Sequence, residues 1–323
     1  MRKFFLGLLF LLIASAITFL VGPRTPVDTT IRVDRAAIMA DPAAWIAREE
    51  TGAPAIVPGA EKEIVWAYAE SRARTPVAIV YVHGFSATKQ EVRPLPDLVA
   101  KALGANIYYA RLTGHGENGD MLARATVNDW VNDLAEALAV GQAIGEKVIV
   151  MATSTGASIA TWAAGQPDLA AQMDGLVFIS PNYQLQADGS FLLTQPWAEQ
   201  LANMIVGPER SFETQNADHA KFWTTRYPTR ALLPMAATVK MATSVMVERV
   251  MLPALFIYAP GDKVVDHSVT AQIAARWGGP HQVIEVTDSQ NPNQHVIAGD
   301  ILSPNTTAGL AEKTTIWIDS VTK

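Results

Sequence analysis

Short apolar runs recur along the chain, and most of them are closed by turn residues and followed by a stretch with helical periodicity. These runs are apolar nearly throughout and do not alternate, which is typical of strands covered by helices on both faces. The alternation of strand and helix therefore predicts an α/β protein with a mostly parallel sheet. The predicted strands are residues 64–68, 77–82, 106–112, 147–152, 175–180, 254–258 and 282–286.

The clearest helical pattern lies between the third and fourth predicted strands, at residues 128–145. Trp130, Leu134 and Leu138 fall on one stripe at helical spacing, whereas the acidic residues fall elsewhere. This pattern predicts an amphipathic helix that crosses over between two parallel strands.

One interval, residues 181–252, contains no convincing strand, although it is rich in methionine and aromatic residues. A structureless loop of that length is unusual in a compact domain, so we expect helices there, for example over 234–250. We therefore predict an α/β core at 61–181 and 253–323 with a helical cap, residues 182–252, inserted into it. Residues 23–60 are expected to form a tether and an N-terminal flap.

Residues 1–22 carry a membrane signal. Arg2 and Lys3 precede an uncharged stretch from Phe4 to Val21, which as a helix would extend roughly 27 Å, about the thickness of a bilayer core. We favour an uncleaved anchor with the bulk of the chain outside the cytoplasm, because the basic end stays inside. Ala14-Ser15-Ala16 resembles a cleavage site, so a secreted or periplasmic form after cleavage remains the alternative.

Composition excludes several classes of function. The formal net charge is −6 and the pI is about 5.5, so no basic surface favours a nucleic-acid partner. Cysteine is absent, which excludes disulfides, a thiolate nucleophile and sulfur-ligated metal sites. Nothing in the sequence calls for a metal or an organic cofactor.

Ser154 follows a predicted strand within the pentapeptide Ala-Thr-Ser-Thr-Gly, which fits the pattern GxSxG with Ala152 in place of the first glycine. The pattern needs small residues because a nucleophilic serine occupies a strained turn between strand and helix. A serine in this position can equally be the N-cap of the following helix. The pentapeptide alone leaves both interpretations open.

A nucleophilic serine needs a base and an acid that orients the base, and in this architecture they follow it in the order acid, then histidine. Asp262 lies in a turn after the next-to-last strand, and His295 lies in a loop after the last one. Asp266 is the rival acid, but it directly precedes a helical pattern and is better interpreted as its N-cap. The other histidines are expected to be turn, capping or solvated residues: His83, His115, His219, His267 and His281.

The stretch His83-Gly84-Phe85 follows another predicted strand. Glycine lets the main chain turn there, so that the Phe85 amide can point toward Ser154 and stabilise a developing oxyanion. The Thr155 amide, at the start of the helix after Ser154, would be the second donor.

Several motifs together resemble the α/β-hydrolase superfamily, specifically its monoacylglycerol lipase, lysophospholipase and carboxylesterase branch, sometimes grouped with serine aminopeptidase-like hydrolases. The resemblance covers about residues 64–318 and rests on YVHGFSATKQE, RLTGHGE, MATSTGAS, YAPGDKVVD and NQHVIAGD. It implies an α/β-hydrolase fold with a helical cap and no cofactor. It also implies a nucleophile, an acid and a base at Ser154, Asp262 and His295, and oxyanion amides at Phe85 and Thr155.

The resemblance implies a serine carboxylic ester hydrolase that acts through an acyl-enzyme on acyl esters such as glycerides or lysolipids. One alternative is an aminopeptidase-like amide hydrolase with the same triad. That enzyme would need a carboxylate for the substrate ammonium, and the candidates are Glu199, Glu209, Glu213 and Asp218. A second alternative is a non-catalytic, membrane-tethered binding module.

Overall fold

The computed structural model describes residues 2–52 and 55–323; Met1 of the predicted membrane segment and Ala53 and Pro54 of the predicted flap lie outside the described residues. The helices are α1 Arg2–Leu20, α2 Arg35–Ala40, α3 Pro42–Thr51, α4 Leu95–Leu103, α5 Gly119–Leu122, α6 Val127–Ile144, α7 Thr155–Ala164, α8 Pro167–Ala170, α9 Ala198–Val206, α10 Ala217–Phe222, α11 Leu232–Thr243, α12 His267–Arg276 and α13 Pro304–Thr322. The strands are β1 Glu63–Val65, β2 Thr75–Val82, β3 Asn106–Tyr109, β4 Gly145–Thr153, β5 Gly175–Ile179, β6 Glu209–Ser211, β7 Arg226–Pro228, β8 Ala254–Tyr258 and β9 His281–Glu285.

In the described part of the chain, seven strands form one sheet with the strand order β1-β3-β2-β4-β5-β8-β9. β1 is antiparallel to β3, and every other neighbouring pair is parallel. The predicted α/β class with a mostly parallel sheet is thus confirmed. Because parallel strands end at the same edge, the loops after β2, β4, β8 and β9 all open on one side of the sheet.

Both faces of the sheet are covered, which explains why the strands are apolar throughout. Along β2, Val80 belongs to a core shared with Leu134 of α6, whereas the adjacent Ile79 belongs to a core shared with Trp317 of α13. Consecutive side chains point to opposite faces, so each face of the strand needs its own apolar residues.

The predicted crossover helix is α6, which spans Val127–Ile144. Thr126 and Asp129 form a reciprocal capping box at its start, which fixes where the helix begins. Trp130 is completely buried, and its indole nitrogen donates to the Thr113 carbonyl at 3.0 Å. The helix therefore also holds the loop that follows β3.

The segment between β5 and β8 contains α9, α10 and α11, as expected, but it also contains the short antiparallel pair β6 and β7. The expectation that it holds no strand was wrong, because three-residue strands are too short to show a hydrophobic period. α11 starts at Leu232 and ends at Thr243, not at Val250, because the Ser244 amide and hydroxyl close its last turn on the Met241 carbonyl.

α11 is the element that joins this segment to the sheet domain. Met235 and Met241 of α11 belong to the same buried cluster as Ile159 and Trp162 of α7, the helix that follows Ser154. We propose on this basis that residues 182–252 are a cap on a core formed by 61–181 and 253–323.

The predicted tether and flap contain α2 and α3, each capped by an aspartate, Asp34 and Asp41. Ile38 of α2 is fully buried in the main core, and Arg32 bonds the side chain of Asn128 on α6. This part of the chain therefore packs against the sheet domain.

α1 differs from the other helices because none of its residues is buried. It is long and apolar enough to cross a membrane, with a mean hydropathy of 2.3. Its C-terminal end contacts α9 through Trp197, whose backbone amide donates to the Pro23 carbonyl at 2.8 Å and whose indole nitrogen donates to the Thr18 carbonyl at 3.2 Å. The apolar helix is thereby joined to the segment 182–252.

Candidate active site

Three side chains from distant parts of the chain form one hydrogen-bonded series at the carboxyl edge of the sheet. Ser154 follows β4, Asp262 follows β8 and His295 lies in the loop after β9. The Ser154 Oγ lies 3.0 Å from the His295 Nε2, and the His295 Nδ1 lies 2.7 Å from the Asp262 Oδ2. The structure thus brings together the three residues that the order along the chain selects.

The backbone of Ser154 is strained. Its φ of 52° and ψ of −115° are unusual for a residue with a side chain, and strain of this kind persists only where surrounding bonds enforce it. The Ser154 amide donates to the Ile179 carbonyl at 3.0 Å, and the Ser154 carbonyl accepts from the Asn182 amide at 3.1 Å. Ser154 precedes α7, but its side chain makes no capping hydrogen bond, so its hydroxyl is directed at His295 and not at the helix.

Small residues around Ser154 allow the turn at Ser154 and the start of α7 to approach the end of β2 closely. A Cβ at Gly156 would lie 2.4 Å from the Val82 carbonyl oxygen, and a Cβ at Gly84 would lie 3.1 Å from the Ser154 Cβ. Ala152, which replaces the first glycine of the pattern, is a buried ladder residue paired with Val82 and Phe178. The regular strand accommodates its methyl group, whereas the turn itself requires glycine at 156.

Asp262 is held in one orientation. Its Oδ1 accepts from the amides of Val264 at 2.7 Å and Val265 at 3.0 Å, which leaves Oδ2 for His295. Asp266 instead caps α12, with its Oδ1 accepting from the Ser268 amide at 2.9 Å. The structure therefore places Asp262 next to His295 and Asp266 at the start of α12, as the sequence predicts.

His295 is set for proton transfer. Burial of the ring lowers the pKa of His295, whereas the charge of Asp262 and the hydrogen bond to it raise that pKa. The second effect is larger, so the pKa of His295 lies above its ordinary value. The His295 backbone amide donates to Asn291 Oδ1 at 3.2 Å, and the preceding Gln294 has a φ of 50°. The loop is therefore turned so that the ring faces Ser154.

The two amides expected at an oxyanion hole flank this site. Within residues 2–52 and 55–323, neither the Phe85 amide nor the Thr155 amide donates a hydrogen bond to another protein group. The Phe85 ring packs edge-to-face on Tyr227, with 5.4 Å between ring centroids, and the Ser86 carbonyl accepts from the Thr224 amide at 2.7 Å. The segment 182–252 thus braces the loop that carries Phe85.

The remaining histidines lie outside the series of Ser154, His295 and Asp262, and His219, expected to be a solvated or capping residue, is instead buried. His83 and His115 are fully buried beside the Phe85 loop, and burial lowers the pKa of His83 to about 4, so its ring is neutral. Its Nε2 accepts from the Leu112 amide at 3.0 Å. His219 accepts from the Gln215 amide, and the other two begin regular elements: His267 begins α12 and His281 begins β9. Among the described residues, no group of three or more His, Asp and Glu side chains is placed to hold a metal ion.

Sequence reasoning missed one residue of the site, Glu91. Its side chain is buried behind the Phe85 loop, where Oε1 accepts from the Gly84 amide and from the Tyr81 hydroxyl, both at 2.7 Å. Burial raises the pKa of Glu91 to about 7. The feature of the sequence that could have indicated Glu91 is its position as an acidic residue seven positions after Gly84, at the end of the motif YVHGFSATKQE.

Comparison with known proteins adds a family to this geometry. The family model described as "Serine aminopeptidase, S33" matches residues 73–290. A thermostable monoacylglycerol lipase of Bacillus sp. (strain H-257) is 27% identical over 191 residues, which is 59% of this chain and 72% of that protein.

Solved structures show the same fold at low sequence identity. A structure reported with LipS and LipT, two metagenome-derived lipolytic enzymes, has a TM-score of 0.67 at 21% identity and covers 82% of this chain and 100% of that one. A soluble variant of monoglyceride lipase from Saccharomyces cerevisiae has a TM-score of 0.59 at 11% identity, with 81% of this chain and 92% of that one covered.

Because Gly156 is enclosed by backbone and Gly309 is not, we expect the same substitution by alanine to affect stability and the reactivity of Ser154 only at Gly156. Gly156→Ala is expected to destabilise the protein by about 1–3 kcal/mol and to slow labelling of Ser154 by a fluorophosphonate about tenfold or more, because the new methyl group meets a backbone carbonyl. Gly309→Ala, on α13 with open space around its Cβ position, should be neutral or stabilising. Urea unfolding and labelling rates of both variants test this. Equal labelling of Gly156→Ala and wild type would contradict it.

Proposed function

Since this chain belongs to the serine aminopeptidase S33 family of hydrolases, we propose that it is a serine carboxylic ester hydrolase that works through an acyl-enzyme. The observation that carries the proposal is the continuous series from the Ser154 hydroxyl through His295 to Asp262. A hydroxyl is a weak nucleophile unless a base removes its proton, and this series supplies the base and its orienting acid.

In the first half of the reaction, the Ser154 Oγ attacks the ester carbonyl carbon while His295 Nε2 takes the hydroxyl proton. The carbonyl oxygen gains the negative charge and is stabilised by the amides of Phe85 and Thr155. The intermediate then expels the alcohol, which receives the proton back from His295. An acyl group remains on Ser154.

In the second half, a water molecule takes the place of the alcohol. His295 removes a proton from the water as its oxygen attacks the acyl carbon, and the same proton returns to the Ser154 Oγ when the carboxylic acid leaves. Asp262 keeps the His295 ring in the tautomer with Nδ1–H and stabilises its protonated form.

The relatives support acyl esters of lipids as the substrate class. The curated relative is a monoacylglycerol lipase, and the similar solved structures include lipolytic enzymes and a monoglyceride lipase. The proposed cap exposes large apolar side chains, among them Phe191, Met204 and Ile205, with 61–80% of each accessible to solvent. Side chains of this kind suit contact with an acyl chain or a lipid surface.

The two other functions have less support. An aminopeptidase needs a carboxylate that holds the substrate ammonium, but Glu199, Glu209, Glu213 and Asp218 are all exposed, and Glu209 is paired with Arg226. Water would screen an ammonium bound to such groups. A binding module without activity has no need for a complete hydrogen-bonded series of serine, histidine and aspartate.

We further propose that α1 anchors the protein in a membrane, with the hydrolase domain outside the cytoplasm. Its apolar length and its lack of buried residues support this location. The contact of Trp197 with the end of α1 would keep the proposed cap next to the bilayer surface. Cleavage after Ala16, which would release the protein, is the alternative.

Loss of the nucleophile is the direct test of the proposed reaction. Ser154→Ala should lower kcat for p-nitrophenyl esters by about 10³-fold or more, because no hydroxyl remains to be acylated. Ser320→Ala, at the far end of α13, is the matched control and should be unchanged. Near-normal ester turnover by Ser154→Ala would contradict the mechanism. Faster cleavage of aminoacyl arylamides than of esters would favour the aminopeptidase, and wild type without either activity would favour the binding module.

The two aspartates predict different pH profiles. In wild type, kcat/KM should rise with pH through the raised pKa of His295, because only the neutral ring accepts a proton. Asp262→Asn removes the charge that raises that pKa, so the acid limb should move to lower pH while the plateau falls by about 10⁴-fold. Asp266→Asn should preserve both features, since asparagine also caps helices. The assignment of Asp262 would be wrong if the loss followed Asp266→Asn instead.

Fractionation of cells tests the anchor. The full chain should sediment with membranes, and removal of residues 2–22 should move it to the soluble fraction with unchanged kcat for short, soluble esters. N-terminal sequencing of the mature protein distinguishes the anchor from the cleaved form, which would begin after Ala16. An intact full-length chain in the soluble fraction would exclude the anchor.

A further inference from the structure

Glu91 is connected by hydrogen bonds to both segments that carry the proposed oxyanion amides. One segment is the loop after β2, with Gly84 and Phe85, and the other runs from the end of β4 into the start of α7, with Thr153, Ser154 and Thr155. A hydrogen-bonded path joins them. Glu91 Oε1 accepts from the Gly84 amide at 2.7 Å and from the Tyr81 hydroxyl at 2.7 Å, and the Tyr81 oxygen lies 2.9 Å from the Thr153 Oγ1.

Proton accounting fixes the direction of this path in the state with Glu91 ionised, which predominates above its pKa of about 7. The Tyr81 hydroxyl has one hydrogen, and an ionised carboxylate only accepts, so Tyr81 donates to Glu91. The Thr153 hydroxyl is then the donor to the Tyr81 oxygen. Each member of the path has a partner, and the residue next to the nucleophile is connected through two side chains to the loop of Phe85.

We propose that Glu91 is a positioning residue for the oxyanion site: its carboxylate fixes the Gly84 amide and, through Tyr81 and Thr153, holds the Phe85 loop in register with the turn of Ser154. This inference rests on the proposed function, because it assigns Glu91 to the same reaction centre. Glu91 acts through the backbone and does not itself touch the reacting atoms.

Close packing supports this role. A Cβ at Gly84 would lie 3.1 Å from Glu91 Oε2 on one side and 3.1 Å from the Ser154 Cβ on the other, so Gly84 is enclosed between the two side chains. The next peptide nitrogen along the chain is that of Phe85, and it moves with Gly84. Donors at an oxyanion site must be in place before the charge develops, so a small displacement of this loop lowers the rate.

The Glu91 turn also contacts the loop that carries His295. Glu91 belongs to the short 3₁₀ turn Lys89–Glu91, and its backbone carbonyl would lie 2.6 Å from a Cβ at Gly299, which has a φ of 99° and follows His295 in the same loop. No side chain fits between them. The turn therefore lies against the nucleophile turn, the Phe85 loop and the histidine loop at once.

The charge of Glu91 affects the pKa of His295, so the pH dependence of the reaction distinguishes this charge from packing alone. The titratable groups that face its carboxylate are Tyr81 from β2 and His295 from the loop after β9, while the neighbouring Lys89 is directed away to Glu63. Burial raises the pKa of Glu91 to about 7, whereas its hydrogen bonds and the His295 charge oppose the rise. In return, ionised Glu91 raises the pKa of His295. Glutamine at 91 keeps an acceptor oxygen and removes this charge.

The experiment uses the full chain in detergent and three substitutions at Glu91: Leu, Asp and Gln. Active sites are counted by titration with a fluorophosphonate, so that kcat is expressed for each reactive serine. KM for a p-nitrophenyl ester and Ki for a trifluoromethyl ketone, which forms an oxyanion on Ser154, are then compared. Glu312→Leu, on the exposed face of α13, is the control.

Glu91→Leu removes the acceptor and should lower kcat for each active site by about 10- to 100-fold. It should raise Ki for the trifluoromethyl ketone by a similar factor and leave KM for the ester nearly unchanged. Glu91→Asp keeps the charge but withdraws it from Gly84, so it should show the same pattern to a smaller extent. Glu91→Gln should retain kcat and Ki near those of wild type but shift the acid limb of kcat/KM to lower pH.

Normal kcat and Ki for each titrated site in both Glu91→Leu and Glu91→Asp would overturn the inference and leave Glu91 a packing residue. If Glu91→Leu does not fold, Glu91→Asp decides alone by the same two quantities. Failure of the proposed function is separately visible, because wild type would then lack ester turnover or Ser154→Ala would retain it.

Discussion

The strained backbone of Ser154 is the constraint on which the arrangement of this protein depends. A φ of 52° at a residue with a side chain is maintained because the Ser154 amide is bonded to Ile179, at the end of β5, and its carbonyl to Asn182, just after that strand. The strained turn directs the Ser154 hydroxyl at His295, and α7 starts so close to the end of β2 that only glycine fits at 156. The parallel sheet, buried on both faces, supplies the rigidity that this turn needs.

Electrostatics at the sheet edge follow from burial. Asp262 is almost fully buried, yet each of its oxygens is hydrogen-bonded, so the charge can be held beside His295 without water. The buried His83 stays neutral because burial disfavours its charged form, whereas the pKa of His295 is raised because the charge of Asp262 and the hydrogen bond to it outweigh burial. Two buried histidines of one fold thus differ in pKa because only His295 has an ionised partner hydrogen-bonded to its ring.

Much of the fold could be predicted from the sequence. Fully apolar strands, the stripe of α6 and the N-cap at Asp266 are local patterns, and the structure confirms each of them. The order Ser154, Asp262, His295 selected three residues that lie within hydrogen-bond distance, although their roles remain proposals. Glu91 was missed because its importance depends on contacts with Gly84 and Tyr81 across the sheet edge, which no period in the sequence records. The pair of β6 and β7 was missed for a related reason, because a three-residue strand is recognised by its hydrogen bonds to a partner strand and not by a pattern in its own sequence.

The attachment of α1 to Trp197 has a mechanical consequence. Gly22 lies so close to the Trp197 ring that a methyl group in its place would lie 2.0 Å from the indole nitrogen, and two hydrogen bonds secure the same junction. One end of α9 is thus clamped, while its other end, at Val206, carries exposed apolar side chains and continues into β6. The chain directly after Val206 is held as well, because the Thr229 amide and hydroxyl donate to the Pro208 and Gly207 carbonyls, so α9 ties the end of α1 to the β6–β7 pair.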